Sequence, residues 1–230
     1  MIRGFEMNKL REEVLATALA MNASGINRGT AGNVSARSGN GSNGDSGDGF
    51  LITPTGLAYE ELAPADIVAM NSDGRHFGEL KPSSEWRFHR DIYARRPEVG
   101  AIVHAHSPFA TSLACMDCVI PAFHYMIARF GGVDVRCAPY AIFGSQELSD
   151  HALLALQHRS ACLLAHHGML AVGRDLKQAL SLALELETLC EQYWRVLQIG
   201  EPKLLSEDEM ARVLEKFEGY GQQPNTKGVV

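Results

Sequence analysis

Four short apolar runs constrain the fold of this chain more than any other feature of its sequence. Each is four to eight residues long, the usual length of a buried strand and shorter than most helices. Between them lie longer stretches in which apolar residues recur every three or four positions, as on one face of an amphipathic helix. The sequence therefore predicts an α/β fold, with helices around a central, mostly antiparallel sheet. The predicted strands are FLITP (50–54), VGAIVHAH (99–106), ACLLA (161–165) and MLAV (169–172).

Helix start and stop signals divide the rest of the chain. Small polar residues that precede a periodic segment predict N-caps, and glycine or proline after it predicts an end. The predicted helices cover 8–24, 83–97, 107–117, 146–158, 175–199 and a last segment from 206. The predicted N-caps are Ser83 or Ser84, Ser107, Asp175 and Ser206, the last in a capping box with Glu209.

The 230 residues contain no internal repeat and no clear linker, so we expect residues 1–230 to form one domain. The segment from Ser38 to Gly49 contains only Gly, Ser, Asn and Asp. Because it has no apolar surface to bury, we expect a flexible loop between two strands at 38–49. The polar residues 221–230 are expected to form a loose C-terminal tail.

Charge and composition exclude several classes of partner. The net charge is −6 and no basic stripe is present, which argues against nucleic acid and against an anionic membrane surface. No apolar run approaches the roughly 20 residues that span a bilayer. Five cysteines and an N-terminus without a signal-peptide pattern favour the reducing cytoplasm, whether the chain starts at Met1 or at Met7.

His104 and His106 stand at the end of the predicted strand VGAIVHAH, with one alanine between them. Residues two apart in a strand point to the same face, so both imidazoles would face one spot. Neutral imidazole is the commonest protein metal ligand, and the spacing suggests half of a metal site. The alternative is two polar residues at a strand end that bond to neighbours or water.

Two more residues complete a candidate zinc site, which needs three or four N, O or S ligands. His167 lies between the buried run ACLLA and Gly168, where glycine permits close approach. Glu85 is expected in the first turn of a helix, where the helix dipole favours a carboxylate. For each residue an ordinary role is also available: a helix-end charge for Glu85, and turn hydrogen bonds for His166 and His167.

Three turns of small residues suggest a phosphate site. Hydroxyl and amide side chains, exposed backbone N–H groups and a helix N-terminus are the groups that bind phosphate. Each turn taken alone could equally be an ordinary turn or cap. The candidate residues are Asn33 in GTAGN, Thr55 and Gly56 in TPTG, and Ser83 and Ser84 in PSSE.

Motifs along nearly the whole chain resemble the class II aldolase/adducin family, and they occur in the family's order. The most specific combination is PSSEW with His-x-His and His-His-Gly. The chain departs from the family pattern at 38–49, where its insert is longer than expected. The matching motifs are GTAGNVSAR, LITPTGLAYEEL, PSSEWRFH, VHAHS, IPAFHYMIARFGG, CAPYAIFGSQELSDH, HHGMLA and VLEKFEGYG.

The resemblance implies a site shared between subunits of a fourfold-symmetric homotetramer. It implies that Tyr125 and Tyr220 reach the site of a neighbouring subunit. It also implies that Glu85 leaves the metal when substrate binds and then carries a proton. The implied zinc ligands are Glu85, His104, His106 and His167, and the implied phosphate-binding residues are Asn33, Thr55, Gly56, Ser83 and Ser84.

The implied reaction is zinc-dependent cleavage of L-fuculose 1-phosphate, or a related 1-phospho-ketose, to dihydroxyacetone phosphate and L-lactaldehyde. Same-fold alternatives are an aldolase, epimerase or dehydratase of 5-deoxyribulose 1-phosphate, methylthioribulose 1-phosphate or ribulose 5-phosphate. The family's epimerase pattern resembles SSD where this chain has SSEW, which favours an aldolase. A non-catalytic adducin-like module would lose the metal histidines, which this chain keeps, and a purely structural zinc would have four permanent ligands.

Overall fold

The computed structural model describes residues 2–39 and 49–218 of the chain. Its strands form one eight-stranded sheet in the order β4-β3-β2-β1-β5-β8-β7-β6, and every pair is antiparallel except β6 with β7. The predicted α/β fold with a mostly antiparallel sheet is confirmed. The strands are β1 (Asn33–Ser38), β2 (Gly49–Ile52), β3 (Val68–Asn71), β4 (His76–Phe77), β5 (Ala101–Ala105), β6 (Cys137–Ala138), β7 (Ala161–Leu164) and β8 (Gly168–Gly173).

Two of the predicted chain segments lie wholly or mainly outside the described residues. Of the loop predicted at 38–49, residues 40–48 are not described, but Ser38 and Gly49 pair as partners across β1 and β2. The predicted tail at 221–230, and Tyr220 before it, also lie outside the described part.

Six α-helices surround the sheet in the described residues. The helix predicted at 8–24 begins earlier, at Ile2, and Asp175 caps the long helix through Gln178 N–H, as predicted. A 3₁₀ segment, Tyr125–Phe130, precedes β6. The helices are α1 (Ile2–Ala23), α2 (Trp86–Arg95), α3 (Pro108–Ala114), α4 (Gln146–Ala155), α5 (Leu176–Ile199) and α6 (Glu207–Glu218).

The predicted cap of α2 is wrong. Neither Ser83 nor Ser84 is the N-cap, and Glu85 occupies that position itself instead of the first turn, without a side-chain hydrogen bond to the helix. Its φ of −99° and ψ of 13° turn the chain sharply into the helix. Because the Glu85 side chain does not cap the helix, it can point away from the helix end.

Alternating residues of each strand pack into two separate apolar cores. Ala101, Val103 and Ala105 of β5 belong to the core that contains residues of α1, α3 and α5. Ile102 belongs to the other core, with residues of α2 and α4. The period of two along the strand places His104 on the side of Ile102, facing α2.

Arg37 of β1 fixes the far end of α2. Its guanidinium donates to the carbonyl oxygens of Tyr93 at 2.8 Å, Arg96 at 3.1 Å and Val99 at 3.0 Å. The last carbonyls of a helix have no partner within it, so these bonds satisfy groups that would otherwise need water. A positive charge at that end also complements the helix dipole. These bonds hold the C-terminal end of α2 against β1.

Glu187 of α5 holds the start of α3. Ser107 is the N-cap, as predicted, but its hydroxyl donates to Glu187 Oε2 at 2.6 Å and does not cap the helix. The backbone N–H groups of Phe109 and Ala110 donate to the same carboxylate at 2.8 and 2.9 Å. This three-fold contact fixes the turn that directly follows His106.

In the described ranges, none of the helices combines the length and apolar character that crossing a bilayer requires.

Replacing Glu187 with alanine is expected to lower the free energy of unfolding by about 2–3 kcal/mol, because three donors lose a charged acceptor. Glu191→Ala is the matched control on the same helix. Glu191 forms only an exposed ion pair with Arg195, so its loss is expected to cost less than about 1 kcal/mol. Urea denaturation of both variants measures the difference. Equal losses would contradict the role assigned to Glu187.

Candidate metal centre

The backbone hydrogen bond of His104 determines which of its ring nitrogens faces the site. Nδ1 lies 2.9 Å from the carbonyl oxygen of Met169 in β8, and a carbonyl only accepts, so Nδ1 carries a hydrogen. Nε2 then faces His106 Nε2 at 3.0 Å and Glu85 Oε2 at 3.1 Å. Metal-binding histidines characteristically donate their second N–H in this way.

His167 enters the site because of the glycine that follows it. A Cβ on Gly168 would lie 2.5 Å from the carbonyl oxygen of Ala105 and 3.0 Å from the His106 ring, so only glycine allows this approach. His167 Nε2 lies 3.2 Å from Glu85 Oε1. His166 points elsewhere: its φ is +53° and its side chain is about half exposed, 3.9 Å from Asp117.

The Glu85 carboxylate is buried between these rings. Burial alone raises the pKa of Glu85, but the charges and hydrogen bonds of His104 and His167 outweigh burial and hold that pKa well below its ordinary value. Oε2 accepts a hydrogen bond from Asn33 Nδ2 at 3.0 Å. Oε1 is buried, with His167 Nε2 3.2 Å away, and none of the described residues meets it in good hydrogen-bond geometry. An ionised oxygen buried in this way requires a positive charge nearby.

The imidazole pKa values of His104 and His106 agree with a site that favours a bound cation. Burial lowers the pKa of His104, but the Glu85 charge raises it and prevails. Burial and the neighbouring charges of His104 and His167 lower the pKa of His106 to about 4, so His106 is neutral at pH 7. A neutral imidazole has a lone pair to offer, as metal binding requires.

The structure therefore brings together the four residues predicted as metal ligands. One ligand atom from each lies within 4.8 Å of all the others. The three imidazole rings are 4.8–4.9 Å apart between centroids and nearly perpendicular to one another. Three nitrogens and one carboxylate oxygen form a donor set typical of zinc. The buried, unpartnered Oε1 of Glu85 supports the fit to a divalent metal.

The three turns predicted to bind phosphate adjoin this cluster. Thr53 Oγ1 accepts from the N–H of Val34, and Ser83 N–H donates to the Thr53 carbonyl at 3.0 Å. A bridge between Pro54 and Pro82 completes the contact between TPTG and PSSE. The strand and turn backbones thus place all five predicted residues in one neighbourhood.

The five predicted phosphate-binding residues differ in their exposure and in their hydrogen bonds. Thr55, Gly56 and Ser84 are exposed, and Gly56 has a φ of +71°, which glycine adopts most readily. Asn33 and Ser83 are buried. The Glu85 N–H donates to Ser83 Oγ at 3.3 Å, and the Asn33 amide donates to the Glu85 carboxylate. Asn33 and Ser83 consequently link the phosphate turns to the metal cluster.

Tyr125 lies at the surface, not in the apolar core that would be its ordinary place. Half of it is exposed, and its ring lies nearly parallel to that of Phe217, with 6.4 Å between centroids. It lines a groove of about 280 Å³ against α6. Tyr220, the second predicted tyrosine, lies outside the described residues.

Sequence analysis missed His89, which contacts Asn33 behind the cluster. His89 Nε2 lies 2.6 Å from Asn33 Oδ1. A signal was available: His89 follows Glu85 by four residues, and residues four apart share a helix face. What the sequence did not show was that Asn33, on a distant strand, would lie between them.

Comparisons with known proteins agree with this geometry. A family model described as the class II aldolase and adducin N-terminal domain matches residues 12–194. The chain is 57% identical over 212 residues to a 5-methylthioribulose-1-phosphate/5-deoxyribulose-1-phosphate aldolase of Rhodospirillum rubrum, covering 92% of each chain. It is 48% identical over 217 residues to the L-fuculose phosphate aldolase of Escherichia coli K12, covering 94% of this chain and 97% of that relative.

A solved structure supports the same assignment. An L-fuculose 1-phosphate aldolase superimposes with a TM-score of 0.84 at 37% identity, covering 91% of this chain and 96% of the other. Fold, motifs and relatives thus agree: the chain belongs to the class II aldolase and adducin family, and it is an aldolase of that family.

Proposed function

We propose that this protein cleaves a 1-phospho-ketose by a zinc-dependent retro-aldol reaction that releases dihydroxyacetone phosphate and an aldehyde. The observation that carries the proposal is the cluster of four metal-ligand residues beside three phosphate-type turns: Glu85 and His104, which are buried, and His106 and His167, which are partly exposed. A metal site next to an anion site suits a phosphorylated, oxygen-rich substrate. The chemistry that bound zinc would supply is Lewis-acid stabilisation of the negative charge left on the ketose fragment.

Glu85 is the residue that moves the proton. Cleavage between C3 and C4 requires removal of the proton from the C4 hydroxyl, and C3 then gains a proton. The carboxylate is held well below its ordinary pKa by His104 and His167. If it leaves these partners when substrate binds, its basicity rises toward that of an ordinary carboxylate. Its basicity would then develop only with substrate present.

The phosphate turns position the substrate. Thr55, Gly56 and Ser84 offer exposed hydroxyl and backbone N–H groups, while Asn33 and Ser83 connect them to Glu85. Binding energy from a phosphate remote from the reacting bond holds C3 and C4 in place. The phosphate would thus be needed for efficient cleavage, not only for affinity.

Two kinds of aldehyde product are consistent with the relatives. The 57% identical relative is named for methylthioribulose and deoxyribulose 1-phosphates, and the 48% identical one for L-fuculose phosphate. The higher identity favours the 5-substituted ribulose 1-phosphates as substrates, which would release acetaldehyde or (methylthio)acetaldehyde. L-Fuculose 1-phosphate, which would release L-lactaldehyde, is the second candidate.

A neighbouring subunit would complete the site. Tyr125 is half exposed at the surface. Its hydroxyl could therefore enter the active site of a second copy of the chain. A phenol is a hydrogen-bond donor at neutral pH and could stabilise the charge that develops on the C4 oxygen as the aldehyde departs. We assign this role to Tyr125, and we propose that Tyr220 also reaches the neighbouring site, in a homotetramer with sites between subunits.

A panel of ketoses tests the proposed function. Purified protein with added zinc is expected to release dihydroxyacetone phosphate from at least one of the three 1-phosphates, while the unphosphorylated sugars are cleaved at least about 100-fold less efficiently. Coupled assay of dihydroxyacetone phosphate and identification of the aldehyde measure both results. Equal cleavage of phosphorylated and free sugars would contradict the phosphate site, and no cleavage of any 1-phosphate would contradict the function.

Metal analysis tests the centre itself. The gently purified protein is expected to hold close to one zinc per chain, because four donor groups, two of them on buried residues, converge on one point. The variant His106→Ala is expected to lose most of it. Mass spectrometry of the native protein and of the variant gives the stoichiometry, and the exposed His166→Ala is the matched control. Negligible metal in the native protein, with activity that resists chelation, would show that the cluster is not a metal site.

The variant Glu85→Gln tests the proton carrier. We expect kcat to fall by about 100-fold or more with the fold retained, since an amide cannot carry the proton. Steady-state kinetics with circular dichroism measures both properties, and metal content must be determined alongside because Glu85 is also a proposed ligand. Turnover near the wild-type value in this variant would place the base elsewhere.

A further inference from the structure

A continuous line of hydrogen-bonded side chains runs from Glu85 into the interface between α2 and β1. Its distances are 3.0 Å from Asn33 Nδ2 to Glu85 Oε2 and 2.6 Å from His89 Nε2 to Asn33 Oδ1. Ser35 Oγ follows at 2.7 Å from His89 Nδ1, and Tyr93 Oη at 2.8 Å from Ser35 Oγ. All five residues are buried.

The ionised carboxylate determines the direction of every bond in this line. Glu85 only accepts, so Asn33 must present its NH₂ to Glu85 and its carbonyl oxygen to His89. His89 must then carry its hydrogen on Nε2. Its Nδ1 accepts the Ser35 hydroxyl, and Ser35 Oγ in turn accepts the Tyr93 hydroxyl. Burial, with a smaller contribution from His104, lowers the pKa of His89 to about 3, which agrees with a neutral ring.

Regular secondary structure supplies the spacing. Glu85, His89 and Tyr93 follow one another at intervals of four residues, so they share one face of α2 and its entry. Asn33 and Ser35 are two apart on β1 and share one face of the sheet. The two faces are opposed, so the five polar groups alternate across the interface. An apolar core with residues of α2 and α4 lies on this same side of the sheet.

We propose that His89 is a positioning residue, which fixes the Asn33 amide with its N–H groups toward Glu85 and so holds the Glu85 carboxylate against the metal-binding histidines. The role in catalysis rests on the proposed aldolase function, whereas the hydrogen-bond order does not. Without the Nε2–H of His89, the Asn33 amide would be oriented from the Glu85 side alone, and its buried carbonyl oxygen would lose its donor. The flipped amide would direct its oxygen at the carboxylate and repel it.

Two substitutions at position 89 separate this role from simple packing. In His89→Gln, the side-chain NH₂ reaches the place of the histidine Nε2 and can still donate to Asn33. In His89→Asn, the shorter side chain reaches only the place of Nδ1, so the contact with Ser35 can persist while Asn33 loses its donor. Both replacements are polar amides, and both side chains are smaller than that of histidine.

We expect kcat of His89→Asn to fall roughly 10- to 100-fold, with KM nearly unchanged, while His89→Gln recovers most of the activity. Steady-state kinetics at matched metal content measures the difference, and thermal melting establishes that both variants fold. Equal activity of the two folded variants, whether both near the wild-type value or both reduced, would overturn the proposal.

Nuclear magnetic resonance tests the hydrogen-bond order in the unaltered protein. In zinc-loaded protein with ¹⁵N-labelled histidine, one buried ring is expected to be the Nε2–H tautomer and to remain neutral between about pH 6 and 8. Its assignment follows from the signal lost in His89→Gln or, if that variant does not fold, from the signal shifted in Ser35→Ala. A His89 ring protonated at Nδ1 would overturn the proposal. If the wild type cleaves no 1-phospho-ketose, the proposed function fails, and this measurement still decides the order of the bonds.

Discussion

A buried carboxylate that faces three imidazoles is the interaction on which the rest of this structure depends. Burial of a charge is costly unless a partner of opposite charge lies close by, and Glu85 has one oxygen without a hydrogen bond in the described structure. Charges and hydrogen bonds from His104 and His167 supply part of the compensation, and a divalent cation would supply more. A bound divalent metal ion would meet the same requirement that makes the cluster costly to fold.

The scaffold supports this cluster through contacts at the ends of secondary-structure elements. Arg37 binds the last carbonyls of α2, whose other end carries Glu85. Glu187 binds the first N–H groups of α3, next to His106. The Met169 carbonyl orients the ring of His104. Each contact satisfies backbone or ring groups that need a partner, and each also directs a functional side chain.

The predictions from sequence succeeded where one local pattern decides the outcome. The period of two in VGAIVHAH was sufficient to place His104 and His106 on one face, and Gly168 marked the close approach of His167. They failed where several elements compete for one group. Ser107 is the N-cap of α3, as predicted, but its hydroxyl donates to the Glu187 carboxylate of α5 and does not cap the helix. Neither Ser83 nor Ser84 caps α2, because the chain turns at Glu85.

The sequence by itself determined four of the eight strands in the described residues, most of the helices, the family and the identity of the four residues that form the cluster. These features depend on spacing within short segments, which a linear pattern displays directly. Only the tertiary structure decided which oxygen of Glu85 meets which imidazole, and that Asn33, His89, Ser35 and Tyr93 form one line behind it. Those contacts join β1 to α2 across more than fifty residues of chain, and their direction follows from the charge of a buried group, which no local pattern encodes.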